Sequence, residues 1–305
     1  MLFFWILFNV FAVAMLVLDL RIVHRPGRVV RSREALGWSL LYVGIAGLFV
    51  VLLFFWQGRQ TALEFVTAYV VELSLSVDNL FVFLVIFNFF SVPEEQQHGV
   101  LFWGILGALA MRGIFIGAGV GLIHRFHAVL YIFGALLIYS GIRLCVAGEH
   151  KIDPAANPLV KIVRRFIPVT ETYRGGRFFV RNPQDRSLYA TPLLIVLLVI
   201  ETTDVLFAVD SIPAVLAITL NAFIVYTSNV LAILGLRSMY FAVSGLIRVF
   251  RFLHYGLALV LVLVGLKMIS ADRLHIPIST TLLVVASVLF ISVVLSVLYP
   301  ANRKP

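Results

Sequence analysis

Residues 191–219 read TPLLIVLLVIETTDVLFAVDSIPAVLAIT. The run is long enough to cross a bilayer, whose hydrocarbon core of roughly 30 Å takes about 20 apolar helical residues. Yet Glu201, Asp204 and Asp210 interrupt an otherwise aliphatic stretch. A charge at that depth costs roughly 2.5–3.5 kcal/mol even on the gentlest scale, so each must face a partner, the bundle interior or a water-filled cavity. One segment therefore points both to a helical membrane protein and to a polar interior within it.

The composition agrees. Of 305 residues, 61% are apolar and 13% charged, against about a quarter charged in ordinary soluble domains. That excludes a disordered chain and a soluble globular enzyme. Nine apolar stretches follow, at about 2–20, 35–56, 61–90, 99–121, 127–146, 191–219, 222–244, 253–271 and 277–299. The expected class is an all-α polytopic membrane protein. The first stretch lacks a basic leader and a small-residue cleavage site, so it reads as a retained anchor. The single cysteine, Cys145, supplies neither an intrachain disulfide nor a cysteine-based metal site.

The net charge of +9 would point to nucleic acid in a soluble protein, but its distribution does not. With nine spans, 17 basic residues fall on one side: Arg21 to Arg33, Lys151 to Arg186, Arg248, Arg251, Arg303 and Lys304. The other side has only Arg59, Arg125 and Arg273. The positive-inside rule then puts the N-terminus outside and the C-terminus in the cytoplasm. The basic loop 147–190 sets topology and needs no nucleic-acid partner. Within it, residues 159–167 have the pattern of a surface amphipathic helix. Residues 178–181 and 186–189 flank the turn-prone Asn182-Pro183-Gln184-Asp185, which predicts a hairpin.

The chain also repeats itself. Ser76-Val-Asp78-Asn-Leu-Phe81 matches Thr202-Thr-Asp204-Val-Leu-Phe207 at Asp, Leu and Phe. Arg112 follows Asp78 by 34 residues, and Arg237 follows Asp204 by 33. Gly141 with Arg143, and Gly265 with Lys267, end the third span of each unit. An odd number of spans per unit inverts the second unit in the membrane, an architecture of secondary transporters with substrate held near the midplane. The expected organisation is a two-helix segment (1–60), a first three-helix repeat (61–146), the basic loop (147–190), an inverted second repeat (191–271), and a last helix with its tail (272–305).

Five intramembrane acids, Glu72, Asp78, Glu201, Asp204 and Asp210, face two intramembrane arginines, Arg112 and Arg237. An ion-pair network built only for structure would balance; this surplus can hold protons or a cation. Helical spacing puts Glu72, Ser76 and Asn79 on one face of the third span, with Asp78 on another. Pro213 removes a backbone donor three residues after Asp210, which predicts a break in the sixth span and free carbonyls beside the carboxylates. No histidine lies at that depth, so the ligands are oxygens, suited to Mn²⁺, Ca²⁺ or Mg²⁺. The candidate metal ligands are Glu72, Asp78, Asn79, Glu201, Asp204 and Asp210, with Ser76, Ser211 and Asn229 as additional ones. Arg112 and Arg237 balance charge.

The segments Glu72-Leu-Ser-Leu-Ser-Val-Asp78-Asn79, Glu201 through Pro213-Ala, and Thr227-Ser-Asn229 through Arg237-Ser-Met-Tyr-Phe resemble the TerC family of integral membrane proteins, most closely its Alx-like branch. The resemblance covers nearly the whole chain. It implies membership of the LysE-type transporter superfamily, Mn²⁺ export, and links to metal homeostasis and tellurite resistance. It also carries the family's acidic motif residues onto Glu72, Asp78, Glu201, Asp204 and Asp210. The expectation is a cytoplasmic-membrane secondary transporter, without a tightly bound cofactor, whose partners are membrane lipid and a divalent cation. Proton exchange would follow, since a buried carboxylate can take up a proton when the metal leaves. No phosphate-cradling GxxxxGK[ST] loop is present to drive it by ATP. Two other readings use the same residues. An intramembrane aspartyl protease also needs two aspartates on different spans, but neither lies in a Gly-x-Gly-Asp setting. A membrane-protein assembly factor acting through the 147–190 loop leaves the acid surplus unexplained.

Overall fold

The computed structural model describes residues 2–22, 32–147, 160, 165, 167–181, 187–243, 252–272, 274 and 276–298. Among them are nine helices: α1 (Leu2–Ile22), α2 (Ser32–Gln57), α3 (Arg59–Phe89), α4 (Glu94–Arg125), α5 (Val129–Ala147), α6 (Pro192–Leu216), α7 (Ala222–Val243), α8 (Leu253–Ile269) and α9 (Ile278–Leu298). Strands β1 (Phe179–Arg181) and β2 (Leu188–Ala190) lie between α5 and α6. Seven helices, α2 to α7 and α9, are long and apolar enough to cross a membrane; α1 and α8 are shorter apolar helices. The 17 residues of α8 reach about 25 Å, the lower end of what spans a bilayer. The chain is an all-α multi-pass membrane protein.

Its outer surface is apolar. Phe55, Ile114, Leu283 and Phe290 are among the large side chains left exposed, as expected where lipid is the solvent. The centre of the bundle is α7, whose most apolar window is 83% buried against 22% for α2. Around it α3 packs on α7 and α4 packs on α6, while α3 meets α6, α4 meets α7 and α5 meets α8. Exchanging α3, α4 and α5 with α6, α7 and α8 leaves this set of pairings unchanged.

The contacts also give directions. Gly134 of α5 lies against Gly265 and Ile269 of α8, and Gly141 lies against Ala258 and Val262. Rising numbers on α5 meet falling numbers on α8, so the two run antiparallel. The same holds for α3 and α6. Thr219, just past the end of α6, donates to Glu64 Oε2 at 2.7 Å near the start of α3, and Asp78 shares a cavity with Asp210.

The α5–α8 crossing depends on its glycines. A Cβ added at Gly141 would sit 2.6 Å from the Ala258 carbonyl oxygen, and one at Gly265 would sit 2.7 Å from that of Gly134. Backbone cannot swing aside as a side chain can. Small residues at such crossings let helices approach where no hydrophobic drive separates lipid from protein. Gly141→Val and Gly265→Val should each destabilise by about 1–3 kcal/mol. Gly117→Ala, where nothing lies within 4 Å of the new Cβ, should be neutral or slightly stabilising. Thermal unfolding in one detergent compares the three.

Helix α6 departs from expectation. It runs without a break through Pro213 to Leu216. The proline sits in the last turn, so its missing N–H costs the Val209 carbonyl one bond and no more. Ile212, Ala214, Val215 and Leu216 are all buried and hold that turn in place, and Ala217 N closes it on the Pro213 carbonyl at 2.9 Å. There is no unwound ladder of carbonyls beside Asp210. Helix α4 begins earlier than hydropathy marks it, at Glu94, because Pro93 starts the helix and Glu94 and Glu95 favour its first turn.

The hairpin forms as expected, with Val180 opposite Tyr189. Its turn, 182–185, and most of the amphipathic segment 159–167 lie outside the described residues. Beyond the end of α8, Asp272 accepts hydrogen bonds from the Tyr131 hydroxyl and from His127 at 3.2 Å. The Tyr131 bond first, then His127, holds the Asp272 carboxyl below the usual carboxylate range. A depressed value means this staple between α5 and the α8–α9 connection is intact above the unfolded carboxylate range and is lost as pH falls through the folded one. In Tyr131→Phe the Asp272 titration, followed by NMR, should move back up toward the ordinary carboxylate range.

Candidate functional site

Arg112 of α4 is buried at 2% exposure, in the middle of the bundle. Its guanidinium donates to Glu72 Oε1 of α3 in a close ion pair. It also donates to Asn229 Oδ1 of α7 at 3.1 Å and to Ser211 Oγ of α6 at 3.4 Å. Its second terminal nitrogen lies 3.6 Å from Asp204 Oδ1 of α6. One planar cation thus ties four helices together. The fork geometry of arginine suits this better than the point charge of lysine.

The cluster is not saturated. Glu72 is wholly buried and Asn229 and Ser76 are 1% exposed. Glu72 Oε2, Ser76 Oγ, Arg112 Nε and Asn229 Nδ2 have no hydrogen-bond partner among the described residues. Buried polar atoms of native proteins are seldom left so, and several in one place call for an occupant or a second arrangement.

Asp78 and Asp210 belong to a second group on the other side of the same two helices. Six residues separate Glu72 from Asp78, and six separate Asp204 from Asp210. At 100° per residue, each pair is turned about 120° apart on its helix. Asp78 and Asp210 therefore line a separate cavity of about 40 Å³, together with Asn79 of α3, Ser140 of α5 and Ser211 of α6. Leu75, Leu144, Phe207 and Leu261 close its walls. The Ser140 hydroxyl donates to Asp210 Oδ1 at 2.6 Å. Ser211 serves both groups, bordering the cavity and accepting from Arg112. A cavity of this size holds more than one water.

Glu201, one turn before Asp204 on α6 and close enough for the two carboxylates to repel, lies beside the Arg112 group. Its carboxylate occupies the space a side chain at Gly107 would need: a Cβ there would lie 2.0 Å from Glu201 Oε1. Gly107 is the reason α4 and α6 can enclose a half-buried carboxylate between them. Arg237 is buried at 2% exposure in α7. Among the described residues, no three of His, Cys, Asp and Glu come close enough together to hold a metal ion. The candidate ligands are thus divided between two adjacent places rather than gathered in one. Ser140 and Gly107 are site residues that the sequence does not single out. Ser140 precedes the repeat-marking Gly141, and that adjacency was its only signal.

The sequence of the chain is similar to that of a known family. The sequence profile described as "Integral membrane protein TerC family" matches residues 57–304, which include every residue of both groups. A Myxococcus xanthus protein named "Uncharacterized membrane protein STKORF319" is 46% identical over 294 residues, covering 96% of this chain and 92% of that one. A Salmonella typhi protein named "Putative membrane-bound redox modulator Alx" is 45% identical over 302 residues, covering 96% and 93%. A Rickettsia bellii membrane protein is 38% identical over 294 residues. No solved structure matches. With the profile matched from α2 to the tail and relatives alike along almost their full lengths, the chain belongs to the TerC family of integral membrane proteins.

Proposed function

We propose that this protein is a secondary transporter that exports a divalent cation, Mn²⁺, across the cytoplasmic membrane. The observation that carries the reading is the cavity between α3 and α6, where Asp78, Asn79, Ser140, Asp210 and Ser211 present only oxygen donors and one amide. Carboxylate, amide, hydroxyl and water oxygens suit Mn²⁺, Ca²⁺ and Mg²⁺. Two carboxylates match the ion's charge, and water completes its shell. Manganese is chosen among the three by family resemblance. Moving a redox-active metal also fits the name that the Salmonella typhi relative bears.

The packing supports an inverted repeat, because equivalent helices pair by exchange and run antiparallel where they touch. In such repeats the site lies where equivalent helices cross, and the two halves rock about it. Asp78 and Asp204 are the equivalent aspartates. On this reading, Arg112 is a tethered cation that neutralises Glu72 and Asp204 while no metal bridges the two groups. Ser211 links the two places. As the ion passes, Glu72, Glu201 and Asp204 serve on the α4 side, and Asp78, Asn79 and Asp210 on the α5 side. Ser76 and Asn229 supply spare oxygens, and Arg237 balances charge in the second unit. Proton uptake by the vacated carboxylates would couple export to the proton gradient. The N-terminus lies outside and the C-terminus in the cytoplasm.

The test is Mn²⁺ flux into sealed proteoliposomes, read by a quenched internal dye, with Ca²⁺ and Mg²⁺ as competitors and internal pH followed in parallel. Saturable Mn²⁺ entry with opposite proton movement is expected. Vesicles containing folded protein that admit Mn²⁺ no faster than empty ones would sink the reading.

A further inference from the structure

The segment between α5 and α6 builds a platform at one end of the bundle. Beside the β1–β2 hairpin, Val169 pairs with Ala190 in parallel, and Thr170 N donates to the Ala190 carbonyl at 2.9 Å. Arg174 to Arg177 make a tight turn, closed by Arg177 N on the Arg174 carbonyl at 3.1 Å. Its central residues, Gly175 and Gly176, have φ of +54° and +76°. A turn with both central residues in the left-handed region is a glycine turn. Nothing lies within 4 Å of a Cβ added at either glycine, so conformation and not crowding selects them. The turn sets Arg174 and Arg177 at the border of a cleft of about 760 Å³. Arg181 of β1, Thr170, Tyr173 and Tyr189 line the same cleft.

Three arginines on one cleft are more than the positive-inside bias requires. That bias counts charges on a side of the membrane and does not make them converge. None of the three forms an ion pair among the described residues. Guanidinium forks pair with phosphate oxygens two at a time, and hydroxyls can complete the set. The cleft is also larger than a bare oxyanion needs and falls in the range of organic-ligand sites. Its position narrows the choice further. The Tyr173 hydroxyl donates to the Phe90 carbonyl at 2.6 Å, at the end of α3. Thr191, which starts α6, donates its hydroxyl to the Arg177 carbonyl at 2.6 Å. The cleft is fastened to the ends of two helices long and apolar enough to cross a membrane, and the ends of such helices are where a membrane protein meets lipid phosphates.

We propose that this cleft binds a phosphate ester carried on an organic group, either an anionic lipid headgroup or a soluble phosphate monoester. The site stands apart from the intramembrane acids and does not depend on the transport reading. The experiment uses the full chain. Native mass spectrometry scores retention of phosphatidylglycerol against phosphatidylcholine, and calorimetry in detergent scores glycerol 3-phosphate. Preferential retention of phosphatidylglycerol identifies the headgroup; glycerol 3-phosphate binding without that preference identifies the soluble ester. In either case the Arg174→Gln/Arg177→Gln/Arg181→Gln variant should bind at least tenfold more weakly. Gly175→Val/Gly176→Val keeps every charge and should weaken binding too, by straining the turn. An equal loss of charge elsewhere, in Arg59→Gln/Arg125→Gln/Arg143→Gln, should leave binding within twofold. Binding of neither probe, or a cleft variant no weaker than the charge-matched control, overturns the proposal.

Discussion

Arg112→Met should destabilise the protein by about 3–5 kcal/mol, the usual cost of removing one partner from a buried ion pair. The loss is large because of what remains. Glu72 is wholly buried and Asp204 is 5% exposed, and without the guanidinium both carboxylates stay in a medium that cannot solvate them. Asn229 Oδ1 and Ser211 Oγ lose a donor as well. Arg112→Lys should lie between, since one ammonium cannot reach four acceptors spread over three helices. The combination Arg112→Met/Glu72→Gln/Asp204→Asn should recover most of the lost stability, because a neutral set needs no counter-charge. Thermal and denaturant unfolding in detergent measures all three. Wild-type stability in Arg112→Met would show that the carboxylates do not need the arginine. The triple variant also separates structure from transport: it should fold and still move no Mn²⁺, because the acids themselves are gone.

The nine helices were legible because lipid demands long apolar runs, although only seven of them are long and apolar enough to cross a membrane and α1 and α8 fall short. A repeat is legible as sequence: Asp78 and Asp204, with Arg112 and Arg237, recur at matching intervals. The partners of each acid were less readable. Sequence spacing separates Glu72 from Asp78 by face, yet it cannot say which helix each face meets. That is settled by side chains far apart in the chain, such as Arg112 from α4 and Ser140 from α5. Pro213 misled for a local reason. A proline reads as a break wherever it occurs, but one in the final turn of a buried helix removes a single bond and leaves the helix running. The platform under the arginine cleft was legible as a hairpin. The cleft itself was not, because it depends on the Val169–Ala190 bridge and on where the Gly175-Gly176 turn is anchored.

Asp78→Asn and Asp210→Asn should each lower the apparent affinity for Mn²⁺ at least tenfold, and together they should abolish flux, with the fold intact. A unit charge about 4 Å from a divalent ion is worth about 8 kcal/mol at an effective dielectric of 20, before desolvation is subtracted. Tenfold requires only about 1.4 kcal/mol of that to survive. The fold should tolerate the change because the 40 Å³ cavity already contains polar atoms and has room for water. An amide is also cheaper to bury than a carboxylate. In the Asp210 variant the Ser140 hydroxyl, which now donates at 2.6 Å, can turn to the amide oxygen. Asp204→Asn tests the other group and should behave differently. It withdraws a charge from Arg112, so it should lower thermal stability as well as transport. Losing flux without losing stability is therefore the mark of a residue that holds the ion, and losing both is the mark of one that holds Arg112. If Asp78→Asn and Asp210→Asn carry Mn²⁺ at the wild-type rate while Asp204→Asn and Glu72→Gln do not, the ion passes along the arginine side, and Asp78 and Asp210 only line a water-filled void.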